Sequence, residues 1–152
     1  MKVERILFPT DFSEGARHAL HYAVDLARHY SARLYILHVI YDIAKATESH
    51  IPHISADEIY SEMTKWAMDE LERCCIEEVR GLPNVERIVI KGIPHEEIVK
   101  FAVDKEIDMI VMGTYGRTGI QKLIFGDTAE KVVKKAPCPV MTVRIPEHRE
   151  RS

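Results

Sequence analysis

The chain has 152 residues, which suits one domain built around one hydrophobic core. Hydrophobic residues make up 46% of the sequence and charged residues 30%, so the composition is that of a folded protein rather than a disordered one. The formal net charge of -3 shows no basic excess, which argues against nucleic acid or an anionic membrane as a partner. The sequence also lacks a signal-peptide pattern and the run of roughly 20 apolar residues that a membrane span requires, so we expect a cytoplasmic protein.

Strands and helices are predicted to alternate along the chain, with little sequence between them. Apolar runs predict five strands, over residues 3–8, 34–40, 85–90, 107–112 and 140–143. Helical spacing of apolar residues predicts four helices. The first is capped by Ser13, the second runs from the capping-box sequence Ser55-Ala56-Asp57-Glu58 to about residue 80, the third starts at Pro94, and the fourth covers residues 127–135. Residues 41–54 form the longest predicted loop.

This order of elements, (βα)4β, predicts the fold class. Nearly continuous apolar strands separated by amphipathic helices are typical of a doubly wound α/β protein, in which helices cover both faces of a parallel sheet. We expect one domain over residues 1–145, followed by a polar tail over residues 146–152. Open sheets of this kind bind ligands beyond the carboxyl ends of their strands, where the strand order reverses, so the loops after the strands are the candidate sites.

The loop after the first strand reads Pro9-Thr10-Asp11-Phe12-Ser13. It lacks the glycine pattern G-x-G-x-x-G, which disfavours a Rossmann-type dinucleotide enzyme despite the similar order of elements. Asp11 places a carboxylate at the end of a strand, where it could accept hydrogen bonds from a base or a ribose. Asp11 could equally be a turn residue that helps to cap the first helix.

Glycines punctuate the loop after the fourth strand, from Gly113 to Gly126. Glycine lets the backbone approach a ligand closely, and the same segment carries threonine hydroxyls and the cations Arg117 and Lys122. The loop leads into the start of the fourth helix, where unpaired N–H groups and the helix dipole attract anions. It contains no Walker A sequence. The segment therefore predicts a site for an anion such as a phosphate, with a flexible connector as the alternative.

Other residues with distinctive chemistry are interpreted as structural. The cysteines Cys74, Cys75 and Cys138 are odd in number and irregularly spaced, which argues against a disulfide framework and predicts reduced thiols in the core or on the surface. Trp66, beside Met63 on the second helix, is predicted to pack rather than to form a binding patch. No group of side chains has the spacing of a metal site formed by the protein alone.

The spacing Gly113-x2-Gly116-x9-Gly126 matches the first three fixed positions of the motif G-x2-G-x9-G-[ST] of universal stress proteins. Four further segments agree with that family: Ile6-Leu7-Phe8-Pro9-Thr10-Asp11-Phe12-Ser13, Leu37-His38-Val39, Gly92-Ile93-Pro94 and Ala136-Pro137-Cys138-Pro139-Val140. The chain therefore resembles the universal stress protein family over nearly its whole length. The resemblance implies a five-stranded sheet of order 3-2-1-4-5, a homodimer and, in one branch of the family, bound ATP.

The resemblance also implies roles for individual residues. Asp11 and the backbone of Val39 would face the adenine and its sugar. Gly113, Tyr115 and Gly116 would line the ribose and the first phosphates, and Gly126, Asp127 and Thr128 would hold the outer phosphates. The implied nucleotide-binding residues are Pro9, Thr10, Asp11, Val39, Met112, Gly113, Tyr115, Gly116, Arg117, Gly126, Asp127 and Thr128. The apolar edge strand Val140-Met141-Thr142-Val143 would meet its counterpart across the dimer axis.

The sequence departs from the motif at its last position, where Asp127 replaces serine or threonine. A carboxylate cannot donate a hydrogen bond to a phosphate and carries a like charge, which at ~4 Å and an effective dielectric constant of about 20 costs about 4 kcal/mol. A divalent ion such as Mg2+ or Mn2+ could bridge Asp127 and the phosphates, or Thr128 could supply the missing donor. Without nucleotide, Asp127 is predicted to cap the fourth helix, with Glu130 completing a capping box.

These features support three functional hypotheses. The first is an adenine-nucleotide-binding regulatory protein of the stress response, which carries ATP and acts through an unknown protein partner. The alternative is a homodimeric interaction module that binds no nucleotide, for which Asp127 is the best support. The third is a slow nucleotide hydrolase. Because Asp11 and Asp127 are the only carboxylates that the sequence places near the cleft, we do not expect an enzyme.

Overall fold

The structure is a computed structural model that describes residues 1–43, 53–114 and 126–146. Its strands are β1 Arg5–Pro9, β2 Arg33–Tyr41, β3 Val85–Gly92, β4 Met109–Gly113 and β5 Val140–Val143. Its helices are α1 Glu14–Tyr30, α2 His53–Cys74, α3 Pro94–Asp104 and α4 Asp127–Lys135. Within the described residues, none of the helices has both the length and the apolar character needed to cross a membrane.

The five strands form one sheet in the order β3-β2-β1-β4-β5, and all four neighbouring pairs are parallel. Ile6 of β1 pairs with Leu34 of β2 on one side and with Met109 of β4 on the other. The strand order therefore reverses between β1 and β4. This architecture confirms the predicted α/β fold with its sheet order and its four helices.

The hydrophobic core lies in two layers, one on each face of the sheet. Ile6 and Phe8 point into the layer formed with α1 and α2, whereas Leu7 points into the layer formed with α3 and α4. The side chains of these three neighbours are at most 2% exposed, because the strand is covered on both faces. This explains why the strand reads as a continuous apolar run rather than as an alternating one.

The boundaries of α2 differ from the prediction at both ends. The helix begins at His53, so Ser55 of the predicted capping box lies inside it rather than at its start. It ends at Cys74 rather than near residue 80, and turns follow as far as Gly81. The apolar spacing continues past the helix end because Cys75 and Val79 are still buried in the core. The spacing of apolar residues that predicted the helix therefore continues beyond the last helical residue.

Two strands also begin later than their apolar runs suggest. β1 starts at Arg5 because the backbone amides of Glu4 and Arg5 donate to the carboxylate of Asp108 at 2.8 and 2.9 Å. β4 starts at Met109 because the amide of Ile107 donates to the carbonyl of Ala102 and so belongs to the end of α3. Local hydrogen bonds therefore set these starts, although Ile107 is buried like a strand residue.

Candidate functional site

A cleft of about 480 Å³ opens at the carboxyl ends of β1, β2 and β4, where the strand order reverses. This is the place at which a doubly wound sheet binds its ligands. Its lining comes from three strand ends and from α2, α3 and the start of α4. The lining residues are Pro9, Thr10, Asp11, Ala16, Leu37, His38, Val39, Ile40, Tyr41, Met63, Trp66, Pro94, Ile98, Met112, Gly113, Thr114, Gly126, Asp127, Thr128 and Ala129.

The loop after β1 forms a tight turn on one side of the cleft. The Oδ1 atom of Asp11 accepts a hydrogen bond from the amide of Ser13 at 2.9 Å. The side chain of Ser13 in turn accepts from the amide of Ala16 at 3.2 Å, which makes Ser13 the N-cap of α1 as predicted. Asp11 therefore has the turn role that the sequence left open, and it also lines the cleft.

Phe12 is held in an unusual conformation at the centre of this turn. Its φ of 63° lies in the left-handed region, which bulky residues rarely adopt. Its ring contacts His38 with a centroid separation of 4.5 Å and meets the edge of Trp66 at 5.4 Å. These contacts join the β1 loop to β2 and α2, and strain that survives by such packing is characteristic of functional sites.

His38 is buried beside this stack, with 7% of its surface exposed. Its Nδ1 atom lies 2.8 Å from the carbonyl oxygen of Thr10. A carbonyl can only accept, so Nδ1 carries a proton and donates it to this bond. The bond fixes the orientation of the imidazole in the cleft wall.

Part of the cleft lining is apolar. Val39, Met63, Trp66, Ile98 and Met112 contribute to it from two strands and two helices. Trp66 packs against Phe12, as predicted, and it also lines the cleft, where it remains 48% exposed. This face of α2 was not predicted as part of the site, because the candidate site residues lay in the loops after the strands. The spacing of Met63 and Trp66, three residues apart, nevertheless indicates that they share one face of the helix.

The start of α4 forms a polar part of the lining. Gly126 is the N-cap residue, with φ of -60° and ψ of 146°, and no side chain in the described part of the chain caps the helix. The prediction that Asp127 caps α4 is therefore wrong, because Asp127 is the first residue inside the helix. Its carboxylate instead lies 3.2 Å from the Nζ atom of Lys131, one turn along α4. First-turn amides of α4 are left to face the cleft.

The end of β4 is bonded directly to the start of α4. The amide of Gly126 donates to the carbonyl oxygen of Thr114 at 2.6 Å. Thr114 is only 4% exposed, and among the described residues its hydroxyl has no hydrogen-bond partner. Thr114 itself is one of the residues that line the cleft.

Gly113 is required by packing inside the protein. A Cβ atom at this position would lie 2.9 Å from the backbone C and O atoms of Gly15 in α1. The first glycine of the motif therefore lets β4 approach the start of α1. The sequence pattern had indicated that the glycines allow a ligand to approach the backbone, and the contact with α1 is a different reason for glycine at this position.

Several predicted site residues lie outside the described part of the chain. Tyr115, Gly116 and Arg117 belong to residues 115–125, as do Thr118 and Lys122 of the glycine-rich loop. The remaining predicted nucleotide-binding residues all line the cleft. Residues 1–43, 53–114 and 126–146 contain no group of three or more His, Cys, Asp or Glu side chains that could hold a metal ion.

The strand proposed to form a dimer edge lies at one end of the sheet. β5 pairs with β4 and has no second neighbour among the described strands. Val140, Met141 and Thr142 are half-buried, and Val143 is buried. Its outer backbone groups are thus placed to pair with another strand.

Comparisons with known proteins agree on one family. The sequence profile of the universal stress protein family matches residues 2–144. Universal stress protein MJ0531 of Methanocaldococcus jannaschii is 32% identical over 149 residues, which are 95% of this chain and 84% of that protein. The structure of MJ0577 from the same organism superposes with a TM-score of 0.84 at 32% identity, covering 96% of this chain and 99% of that one.

Two more distant structures share the fold and contain adenine nucleotides. One is a universal stress protein from Archaeoglobus fulgidus in complex with dAMP, with 24% identity, a TM-score of 0.62, and coverage of 95% of this chain and 100% of that one. The other is a universal stress protein in complex with cAMP, with 19% identity, a TM-score of 0.65, and coverage of 95% and 98%. The profile match over almost the whole sequence, the close relatives and the sheet order together show that this chain belongs to the universal stress protein family.

Proposed function

We propose that the cleft binds an adenine nucleotide, ATP, and that its occupancy regulates the interaction of a cytoplasmic homodimer with another protein. The observation that carries this proposal is a cleft at the point of strand reversal whose lining combines apolar side chains with the polar start of α4. A nucleotide has the same combination, because its base is flat and weakly polar while its phosphates are charged. The cleft volume of about 480 Å³ is in the range of sites for molecules of this size.

The apolar part of the cleft lining fits the base of a nucleotide. Val39 lies at the end of β2 and could offer backbone groups to the edge of an adenine, and Met63 and Trp66 provide surfaces against which a ring packs. Asp11 lies at the opening between these residues and β4, where a carboxylate suits the hydroxyls of a ribose. These assignments agree with the roles that the family resemblance implies.

The polar part of the cleft lining fits the phosphates of a nucleotide. The first turn of α4 offers backbone N–H groups and the positive end of a helix dipole. Thr128 lies in this turn, and Thr114, whose hydroxyl is buried, lines the same cleft. A phosphate oxygen bound here would supply the hydrogen-bond partner that Thr114 otherwise lacks among the described residues.

The ion pair between Asp127 and Lys131 reduces the repulsion that the Asp127 carboxylate exerts on a phosphate. The carboxylate is 77% exposed and is paired with a cation at 3.2 Å, so solvent and Lys131 both screen its charge. The repulsion of a phosphate is therefore closer to that of an exposed ion pair, about 0.2–1 kcal/mol, than to the 4 kcal/mol of an unscreened contact. Asp127 could also hold Mg2+ or Mn2+ through a bound triphosphate.

The two relatives with dAMP and cAMP support an adenine nucleotide, and ATP is our extension of that support. We propose a regulatory role rather than a catalytic one, because the cleft offers no organised acid–base pair in its described lining. The Oδ1 atom of Asp11 is used by Ser13, and Asp127 is paired with Lys131. β5 is the proposed contact between the two copies of the chain.

Mass spectrometry of small molecules released from the purified protein tests this proposal without assuming a ligand. We expect ATP or a product of it in a ratio approaching one per chain. The Thr114→Val variant, which keeps the side-chain shape but removes the buried hydroxyl, should retain less of it. Release of a ligand without adenine would contradict the proposal. Release of no nucleotide from a protein that sediments as a dimer would favour the alternative of an interaction module.

A further inference from the structure

Two adjacent cysteines form a second site with distinctive chemistry, on the face of the sheet that carries α1 and α2. Cys74 is the last residue of α2, and Cys75 follows it. Their Sγ atoms lie 2.9 Å apart, within hydrogen-bonding contact. Neighbouring side chains of a regular helix point in different directions, so this contact depends on the helix ending between the two residues. The thiols are therefore neighbours in space as well as in sequence.

The two thiols differ sharply in access. Cys75 is fully buried in the core beside Leu71. Cys74 is half-buried and lines a cavity of about 90 Å³ with residues of α1, α2 and the β1 loop, including Arg17 and Glu70. A small reagent can therefore meet Cys74 first, and it cannot reach Cys75 without passing Cys74 or opening the core.

The two thiols also differ in acidity. The hydrogen bond from Cys75 lowers the pKa of Cys74, although partial burial and the nearby carboxylates of Glu70 and Glu78 oppose this change. The same bond raises the pKa of Cys75, and burial raises it further. Because the thiolate is the reactive form, Cys74 is the better nucleophile of the pair, while Cys75 remains protonated.

We propose that Cys74 and Cys75 form a peroxide-responsive site, in which a small hydroperoxide oxidises Cys74 and Cys75 then closes a disulfide with it. An accessible cysteine beside a resolving cysteine is the arrangement that such chemistry requires. The resolving thiol needs no access to solvent, because its sulfur is already in contact with the sulfur that it must attack.

The reaction has two steps. In the first, the Cys74 thiolate attacks one peroxide oxygen, the O–O bond breaks, and the products are a Cys74 sulfenic acid and, after proton uptake, an alcohol or water. In the second, the Cys75 thiol gives its proton to the departing hydroxyl group as its sulfur attacks the Cys74 sulfur, so that an S–S bond forms, the S–O bond of the sulfenic acid breaks and water leaves. The two sulfurs lose two electrons in total, and the peroxide gains them.

The backbone geometry favours a reversible bond over a structural one. Consecutive Cα atoms joined by a trans peptide are about 3.8 Å apart, whereas disulfides usually join Cα atoms separated by about 4.4–6.8 Å. A bond between Cys74 and Cys75 is therefore strained and more easily reduced than an ordinary disulfide. The turns that follow Cys74 can adjust to the ring more readily than the interior of a helix.

Peptide mapping after treatment with hydrogen peroxide tests the proposal directly. Trypsin cleaves after Arg73 and Arg80, so residues 74–80 form one peptide that contains both cysteines and excludes Cys138. In the wild-type protein treated with equimolar peroxide, we expect this peptide to lose two hydrogens. It should also resist alkylation by iodoacetamide until dithiothreitol is added.

Single substitutions separate the two roles and use Cys138→Ser as the matched control. Cys75→Ser should accumulate a dimedone-reactive sulfenic acid on Cys74, and Cys74→Ser should slow oxidation of the peptide by at least about tenfold. Cys138→Ser should behave like the wild type. The proposal is overturned if wild-type residues 74–80 keep both thiols while Cys138 is oxidised. A disulfide to Cys138 or to another chain would overturn it too, and neither of these wild-type results depends on a variant that folds.

Discussion

The amide of Gly126 donates a 2.6 Å hydrogen bond to the carbonyl oxygen of Thr114 and so joins the first residue after β4 to the N-cap of α4. This bond holds the start of a helix at the carboxyl end of a central strand. It brings together the two ends of the glycine-rich segment and places Thr114, whose hydroxyl is buried, at the start of α4. The proposed phosphate-binding part of the cleft depends on this one contact between backbones.

Proline at position 126 removes this bond with little other change. Gly126 has φ of -60°, which proline adopts readily, but proline has no N–H group to donate. We expect Gly126→Pro to be about 1–2 kcal/mol less stable to urea than Gly126→Ala, because the buried Thr114 carbonyl loses its partner. Gly126→Ala is the matched control, since it keeps the N–H group. Equal stability of the two variants would show that the bond does not anchor α4.

Alanine at position 113 tests the packing of β4 against α1. The added Cβ would lie 2.9 Å from backbone atoms of Gly15, which cannot move aside as a flexible side chain can. We expect Gly113→Ala to lower the free energy of unfolding by about 1–3 kcal/mol, as overpacked cores do. Val103→Ala, at a 56% exposed position of α3, is a control that should change it by less than about 0.5 kcal/mol. A Gly113→Ala protein as stable as this control would contradict the packing role.

The fold could be predicted because its signals are local and repeated. Apolar runs such as Ile6-Leu7-Phe8 and the helix signals at Ser13 and Pro94 each indicate one element, and the structure confirms them. The boundaries could not be predicted as well, because they depend on bonds between distant residues. The Asp108 carboxylate that accepts from the amide of Glu4 lies 104 residues further along the chain.

The site could be predicted where it lies at the ends of strands and in the loops that follow them. Asp11 and Gly126 were found in this way, and both line the cleft. Trp66 was missed because it projects from a helix whose position against the β1 loop is a tertiary property. The prediction that Asp127 caps α4 was wrong because Gly126 occupies the cap position. The carboxylate of Asp127 is instead attracted by the Lys131 ammonium one turn later.

The charge of Asp127 is expected to weaken the binding of a triphosphate only modestly. Replacing it by serine, the residue type of the family motif, removes a screened like charge and adds a donor. We expect Asp127→Ser to bind ATP roughly two- to fivefold more tightly in the absence of divalent ions. Lys131→Gln should bind it less tightly, because the carboxylate loses its paired cation. Titration calorimetry measures both changes.

The effect of Mg2+ distinguishes the two roles considered for Asp127. If the carboxylate holds a phosphate-bound ion, Mg2+ should strengthen ATP binding in the wild type more than in Asp127→Ser. If it acts only as a screened charge, Mg2+ should affect both proteins equally. Tighter ATP binding by the wild type than by Asp127→Ser without metal would contradict the repulsion.

Stability is expected to fall in mildly acidic solution partly because of His95, at the start of α3. Partial burial and the cations Lys131 and Lys135 lower its pKa below the ordinary 6.5, although Glu96 and Asp127 act in the opposite sense. The unfolded chain therefore takes up this proton at higher pH than the folded chain. The contribution is complete above pH 6.5 and is lost as the pH falls from there through the lowered pKa.

Urea unfolding of the wild type and His95→Gln over a range of pH tests this assignment. Between about pH 7.5 and about pH 5.5 the wild type should lose slightly more stability than the variant, because the variant cannot take up the proton. Parallel pH profiles for the two proteins would show that His95 does not contribute. The effect should be small, since the imidazole is only partly buried.

The edge strand β5 is the proposed contact between two copies of the chain. A charged side chain on an edge strand opposes pairing with another strand, so Thr142→Lys should shift the protein from dimer to monomer. Val133→Lys, on the exposed side of α4, is the control that should leave a dimer. Sedimentation velocity at micromolar concentration distinguishes these states. A monomeric wild-type protein, or a dimeric Thr142→Lys variant, would argue against this interface.

Isothermal titration of the 152-residue protein with ATP, with GTP as the comparison, tests the central claim most directly. We predict saturable heat for ATP with one nucleotide per chain and much weaker binding of GTP, whose base presents a different hydrogen-bonding edge to the end of β2. Thr114→Val should weaken the binding of ATP while leaving the sedimentation behaviour unchanged. The absence of both heat and a thermal shift at millimolar ATP, with and without Mg2+, would contradict the claim.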